Sequence, residues 1–191
     1  MSHRPLLLTV PDEFETERLI IRSPLWGDGV MLNAAICESL DELRPWMPWA
    51  AKEPNIDESE ENVRRARLNY LERSDLRLHI FYKETGNLIG SSGLHRIDWD
   101  ARKFEIGYWI RTSWSRRGLM TEAVEGITLF AILQLQANRI EIRCDARNTR
   151  SSRIAERLGF TLEGVLRSDS CDVAEHLSDT MVFAKVRGQE F

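Results

Sequence analysis

The chain has 191 residues, of which 42% are hydrophobic and 29% charged, and its formal net charge is −4. This length and balance are typical of one water-soluble domain with a sizeable core. They exclude a membrane-spanning protein, since no apolar run approaches the ~20 residues that cross a bilayer, and an acidic chain without a basic stripe disfavours nucleic-acid binding.

The N-terminal segment 1–15 is predicted to be a loose leader before a single domain over residues 16–191, because Pro5 and Pro11 oppose regular structure. Its run of three leucines is too short for a secretory signal, so we expect a cytoplasmic protein. The three cysteines have no metal-type spacing, which predicts reduced thiols and no bound metal.

Alternation of polar and apolar residues predicts a first strand over residues 16–22. Two prolines interrupt the aromatic stretch 43–49, so we expect a loop there. The predicted helices on either side of this loop run from an Asp28 N-cap to about residue 38, and from Asp57 or Ser59 to about residue 73.

The rest of the chain alternates between strands and helices. Further strands are predicted over residues 78–82, 88–94, 104–110, 139–144, 160–166 and 180–186, with a polar loop at 168–178. Two more helices are predicted, one from Gly118 to about residue 136 and one from Asn148 to residue 158. The order β-α-α-β-β-β-α-β-α-β-β predicts an α/β fold, a mixed α+β sheet of about seven strands with four helices on its faces.

The turn at residues 115–118 is a candidate anion site, because it carries Arg116, Arg117 and Gly118 directly before a helix. The first N–H groups of a helix have no partner within the helix and carry partial positive charge, so a phosphate binds there readily.

Charge is also uneven along the chain. Residues 1–63 carry thirteen Asp or Glu against five Lys or Arg, whereas residues 111–157 carry nine Arg against five acids. Solvated surface explains such a pattern, and so does a site with an anionic cofactor on one side and a cationic substrate on the other.

Four separated stretches, distributed over about residues 16–187, resemble the GNAT superfamily of acyl-CoA N-acyltransferases. Within it they resemble the RimJ/RimL-like group, which acetylates protein N-termini and some other amines. The stretches are TERLIIR at 16–22, IGSSGL at 89–94, EIGYWI at 105–110 with GLMTEA at 118–123, and NTRS at 148–151 with ERLGF at 156–160 and EG at 163–164.

The resemblance implies acetyl-CoA, with coenzyme A as the carrier, as the co-substrate and no metal. It places the N–H of Trp109 opposite the thioester oxygen and Asn148 on the pantetheine arm; a helix cap is the alternative role for Asn148. The cofactor-binding residues that it implies are Tyr108, Trp109, Ile110, Arg111, Arg116, Arg117, Gly118, Leu119, Met120, Thr121, Asn148 and Ser151.

Three positions depart from the family pattern: Ser115 and Met120 in the phosphate loop, and Ala155, where many members have a Tyr that protonates the leaving thiolate. Ser151 is therefore our candidate for that catalytic role. By position, Glu105 matches the carboxylate base of related acetyltransferases and is the candidate that removes the amine proton. An ordinary solvated strand residue is the alternative reading of Glu105.

Trp46 and Trp49 flank prolines in a loop that borders the acceptor cleft in this family, so they are predicted to bind the acceptor; a lid over the core is the alternative. The acidic residues of 53–61 are expected nearby, where they would attract a cation.

The predicted activity is acetylation of a protein N-terminal amine, typically of a ribosomal protein. Acetylation of a polyamine or aminoglycoside and a non-catalytic acyl-CoA sensor stay open, as does the homodimer that occurs in the family.

Overall fold

The computed structural model describes residues 4–172 and 175–191. Residues 1–3 of the predicted leader, and residues 173 and 174 of the predicted polar loop, lie outside these ranges. The described strands are β1 Glu13–Glu15, β2 Leu19–Arg22, β3 Leu76–Tyr82, β4 Leu88–Asp98, β5 Lys103–Ile110, β6 Arg139–Asp145, β7 Thr161–Cys171 and β8 Leu177–Val186. The helices are α1 Gly29–Leu43, α2 Ile56–Glu72, α3 Leu119–Leu133 and α4 Thr149–Arg157.

All eight described strands form one open sheet in the order β1-β2-β3-β4-β5-β6-β8-β7. Neighbouring strands are antiparallel, except that β5 and β6 run parallel. A parallel pair needs a long crossover, and α3 supplies it between β5 and β6. The predicted mixed sheet with four helices is confirmed, with eight strands instead of about seven.

Each face of the sheet buries its own apolar cluster. Phe104 and Ile106 of β5 pack with α3 residues such as Val124 and Ile127, in a large cluster on the face that α3 and α4 cover. Leu32 and Ile36 of α1 pack with Val63 of α2, and with Phe81 of β3 and Leu88 of β4, in a separate cluster on the opposite face. Because successive strand side chains point to opposite faces, β5 contributes to both layers.

Three local expectations are corrected by the structure. The predicted polar loop 168–178 is shortened, because β7 continues to Cys171 and β8 begins at Leu177. Helix α2 begins at Ile56, one residue before Asp57 and three before Ser59, with Asn55 and Glu58 forming a capping box. The carboxylate of Asp28 makes no cap hydrogen bond and instead accepts two from Arg22.

Part of the predicted leader is structured. Glu13–Glu15 pairs with β2 as the edge strand, which accounts for the additional strand, and Val10 is 6% exposed in the large apolar cluster. The guanidinium of Arg67 on α2 donates to both carboxylate oxygens of Asp12, at 2.9 and 3.0 Å. These contacts order the segment although its two prolines disfavour regular structure. The sequence pattern alone does not reveal such contacts. No helix of the described ranges is long and apolar enough to cross a membrane.

We expect Asp12→Asn to lower the free energy of unfolding by at most about 1 kcal/mol at pH 7, because the pair is partly exposed and solvent-screened. Hydrogen bonding to Arg67 holds the pKa of Asp12 below its ordinary value. The stabilisation is therefore present above the unfolded-state pKa and is lost as pH falls through the folded-state pKa. Urea unfolding at pH 7 and pH 3 checks this, with the fully exposed Asp41→Asn as control. An equal loss at both pH values would contradict it.

Candidate active site

The parallel strands β5 and β6 separate along their length. Their ladder joins Lys103–Glu105 to Arg139–Glu141, and no register pair beyond Glu105 connects the two described strands. The separated halves line a cleft of about 1140 Å³. Predicted site residues on its wall are Trp46, Glu105, Tyr108, Trp109, Ile110, Arg116, Gly118, Leu119, Met120, Thr121, Asn148 and Ser151.

Strand parity decides which peptide groups of β5 face the cleft. The N–H of Arg111 donates to the Ile89 carbonyl beside β4, and the Arg102 carbonyl accepts from Asn138 on the β6 side. No register shift interrupts β5 from Glu105 to Ile110, so peptide groups alternate between the two neighbours. Trp109 therefore directs its N–H to β4, and the expectation that it faces the thioester is corrected. The peptide groups of Tyr108 and Ile110 face the gap instead.

The start of α3, which is the predicted anion cradle, has amides at its first turn that are unpaired within the helix. Gly118 occupies the N-cap position with φ 76°, and Glu122 N–H makes the first helical bond, to the Gly118 carbonyl at 3.1 Å. The N–H groups of Leu119, Met120 and Thr121 precede that bond and so lie at the positive end of the helix dipole. The Met120 side chain is 6% exposed and packs in the core, so it does not fill the cradle.

A cation that the sequence analysis missed, Arg18, supports this cradle. Its guanidinium Nη1 donates to the Arg117 carbonyl at 3.2 Å, and Nη2 lies 3.6 Å from where a Gly118 Cβ would stand. Its Nε also donates to the Glu122 carboxylate at 2.6 Å, which neutralises the acid in the first turn of α3. Sequence separations near 100 residues leave no local signal for these contacts.

Two hydroxyl groups meet where β5 faces the start of α4. The Tyr108 hydroxyl lies 2.9 Å from Ser151 Oγ and donates to the Ser151 carbonyl at 3.0 Å. Asn148 accepts from the Ser151 N–H at 3.2 Å, so its capping role is confirmed. Burial raises the pKa of the Tyr108 phenol. Sequence reasoning assigned only the backbone of Tyr108, yet its side chain supplies a hydroxyl on the cleft wall.

Glu105 projects from the opposite face of β5, beside the other wall of the cleft, since its neighbours Phe104 and Ile106 belong to the α3 side. Its side chain is 17% exposed, and burial raises the pKa of its carboxyl. The charges that act on it are Arg96, Arg143, His95 and Glu141. A carboxylate with raised pKa in a cleft has the character of a general base.

Three predicted site residues lie outside the cleft wall. Arg111 donates to Glu38 of α1 at 2.6 Å. Arg117 lies over the Trp114 ring, 4.9 Å from its centroid. Trp49 is 49% exposed and packs against Trp109, with 6.0 Å between ring centroids. Of the two loop tryptophans, Trp46 is the one that lies on the cleft wall.

The acidic segment 53–61 does not contribute to the wall either. Its carboxylates stabilise local structure instead: Glu58 completes the α2 capping box, and Glu60 accepts from the Gly27 and Gly29 amides. The expected acidic attraction for a cationic acceptor therefore does not come from this segment. Cys144 does line the cleft, and burial raises the pKa of its thiol, which disfavours a reactive thiolate.

Comparison with known proteins places these features in context. The model of the acetyltransferase (GNAT) domain matches residues 18–161. The chain belongs to the GNAT acetyltransferase family. It is therefore an acetyl-CoA-dependent N-acetyltransferase, and the residues present fit that co-substrate: an α3 N-terminus for the pyrophosphate, and a gap between β5 and β6 for the extended arm.

Two relatives in sequence are informative. YdaF of Bacillus subtilis (strain 168), provisionally named a ribosomal N-acetyltransferase, is 30% identical over 152 residues, covering 79% of this chain and 82% of that protein. The ribosomal-protein-serine acetyltransferase of Escherichia coli (strain K12) is 28% identical over 151 residues, covering 78% of this chain and 79% of that protein.

Solved GNAT structures share the fold. The microcin C7 self-immunity acetyltransferase MccE, in complex with acetyl-CoA and AMP, superposes with a TM-score of 0.85 at 23% identity, covering 93% of this chain and 97% of that chain. RimL, a ribosomal L7/L12 α-N-protein acetyltransferase in complex with coenzyme A, has a TM-score of 0.84 at 19% identity with the same coverage.

Proposed function

We propose that this protein acetylates the N-terminal α-amine of a protein, by direct attack of the amine on the thioester of acetyl-CoA. The observation that carries the proposal is a partly buried carboxylate, Glu105, on the sheet face opposite the Tyr108–Ser151 hydroxyl pair. The names of the sequence relatives support a ribosomal-protein acceptor.

The choice of amine follows from proton affinity. An α-amino group has a pKa near 7.7–8.0 and a lysine near 10.4, so deprotonating lysine costs about 3.4 kcal/mol more at a given pH. A single carboxylate base is therefore better matched to deprotonating an α-amino group than a lysine. In the proposed mechanism Glu105 accepts the proton from the ammonium group, directly or through one water.

Acetyl-CoA supplies the acetyl group as a thioester. The groups on the opposite wall of the cleft would act on its carbonyl oxygen and its sulfur. The N–H groups at Tyr108 or Ile110 face the gap and would stabilise negative charge as it develops on the carbonyl oxygen, worth about 3 kcal/mol for a well-aligned donor. The Ser151 hydroxyl lies 2.9 Å from that of Tyr108, and it would turn its proton from Tyr108 to the sulfur as the thiolate leaves. Ala155 is fully buried and offers no donor there.

A thiol-release assay with acetyl-CoA tests the function. The acceptors are N-terminal peptides, the same peptides with blocked α-amines and a free lysine, and the polyamine spermidine. We expect release with the free α-amine peptides alone. Turnover of spermidine without turnover of peptides would defeat the protein-acceptor proposal, and coenzyme A binding without any turnover would favour an acyl-CoA sensor.

We expect Ser151→Ala to lower kcat by about tenfold, because a hydrogen bond to a charged group contributes about 1.5–3 kcal/mol. The neighbouring Ser152→Ala is the matched control, since Ser152 is buried outside the cleft wall and its hydroxyl donates to the Thr149 carbonyl. Steady-state rates at saturating acetyl-CoA measure both. If Ser151→Ala retains the wild-type kcat, the thiolate takes its proton from another donor.

A further inference from the structure

Two arginines of the cleft wall lie near Glu105. Arg96 Nη1 lies 3.3 Å from the Glu105 carboxylate. Arg143 stands on β6, across the gap, and donates to Asp169 at 2.8 Å. Both line the cleft. A base that served a polycation would gain from an unpaired acidic neighbour, whereas the group that pairs with Glu105 is an arginine. This contact favours an acceptor that carries negative charge.

The position of Arg96 depends on an irregularity in β4. The register with β5 is regular from Gly90 to His95 and then shifts before Asp98, and Arg96 within the shift has φ 45°. Positive φ is costly for a residue other than Gly. Irregularities of this kind redirect side chains and often lie next to active sites. Here the result is an arginine beside a catalytic carboxylate.

Among the described residues, the other charges around Glu105 have partners of their own. Asp169 holds Arg143, Asp75 lies 2.6 Å from His95 Nδ1, and Arg139 with Lys103 holds Glu141. The Arg96 side chain is 69% exposed, and its one recorded ion pair within the described ranges is with Glu105. Arg96 is therefore the cation that can turn to an incoming group at least cost.

We infer that Arg96 binds a carboxylate of the acceptor, so that the preferred substrates are protein N-termini with an acidic residue among their first few positions. This inference rests on the proposed N-terminal acetylation. Hydrogen bonds of about 3 Å at each end bring the amine to Glu105 and the acceptor carboxylate to Arg96. With a rise of about 3.3 Å per extended residue, the acid lies within the first two or three residues of the peptide.

The movement of Arg96 from Glu105 to the acceptor carboxylate would also make Glu105 a stronger base. While Arg96 contacts Glu105, its charge favours the ionised carboxylate and lowers the pKa of that group. When Arg96 turns to the acceptor, Glu105 loses this stabilisation and binds the ammonium proton more readily. The proton then moves from the amine nitrogen to a Glu105 oxygen, leaving the lone pair for attack. Acidic acceptors thereby activate the base, whereas a polyamine brings no carboxylate that could draw Arg96 away from Glu105.

The test uses three peptides of one sequence that differ only at the second residue, which is aspartate, asparagine or lysine. We expect wild-type kcat/KM to be about tenfold higher for the aspartate peptide than for the asparagine peptide, mainly through KM, and lowest for lysine. Arg96→Gln should remove the difference between aspartate and asparagine. Arg96→Lys should keep part of it, and the control Arg44→Gln, an exposed arginine outside the cleft wall, should keep all of it.

A second readout separates this role from simple loss of packing. Without the Arg96 charge, the acidic limb of the pH profile for the asparagine peptide should move to higher pH in Arg96→Gln. Equal turnover of the aspartate and asparagine peptides by the wild type, or a preference that survives Arg96→Gln, would overturn the inference while leaving N-terminal acetylation intact. Acetylation of spermidine and of none of the peptides would overturn both.

Discussion

Replacing Glu105 by glutamine is expected to lower kcat/KM at pH 7 by about 10²–10⁴-fold, the range for loss of a positioned general base. The side chain keeps its shape and its place on β5, so the change isolates the proton-accepting function. Cofactor affinity should stay at the wild-type level, because Glu105 lies on the sheet face opposite the Tyr108–Ser151 pair.

The pH dependence of the rate tests the role of Glu105 as a base more directly than the rate at a single pH. Burial raises the pKa of Glu105, so the wild-type base form is lost as pH falls through that raised value, and the rate falls with it. In Glu105→Gln this acidic limb disappears. The remaining activity should climb with pH toward and beyond 8, as the α-ammonium group of the acceptor deprotonates without help.

Initial rates with a free N-terminal peptide between pH 5 and 10 measure both effects. Glu125→Gln is the matched control, since this exposed carboxylate of α3 lies outside the main cleft wall and should leave rate and profile unchanged. If Glu105→Gln keeps the wild-type rate and profile, the proton passes to water or to another group, and Glu105 is an ordinary strand residue.

Replacing Gly118 by valine is expected to weaken coenzyme A binding by about tenfold or more, the second large effect. Gly118 is the N-cap of α3 with φ 76°, a region that a β-branched residue enters at a cost of about 1–3 kcal/mol. A conformational change there turns the Leu119–Thr121 amides away from the pyrophosphate and separates the loop from Arg18.

Gly86→Val provides a control with the same backbone strain far from the cleft. Gly86 has φ 67° in the turn between β3 and β4, and a Cβ there meets no atom within 4 Å. Both variants should lose similar stability in urea unfolding, whereas calorimetric titration with coenzyme A should show weakened binding in Gly118→Val alone. Unchanged affinity in Gly118→Val would mean that the phosphates bind elsewhere.

The sequence predicts those elements whose structure depends on residues close together in the chain. Strand periodicity, the two prolines of the aromatic loop and the Asn148 cap each depend on residues within about one turn or one strand. The same local logic failed for the N-terminal segment. Val10 and Glu13–Glu15 gain their structure from contacts with the core and β2, which two prolines nearby do not reveal.

The sequence by itself determined the mixed fold and the family, and it located the glycine at the start of α3, because each follows from the order of elements and from groups adjacent in the chain. Only the tertiary structure decided which groups face the cleft. Strand parity directs the Trp109 amide to β4 and the Tyr108 and Ile110 peptide groups to the gap.

Contacts between elements distant in the chain bring Tyr108 of β5 to Ser151 of α4, and Arg18 to the loop before α3. Such contacts depend on strand order and register, and they join residues that are 43 and 99 positions apart in the chain. A change of one residue in register would turn each strand side chain to the other face. For this reason the chemistry of the site depends on the assembled sheet.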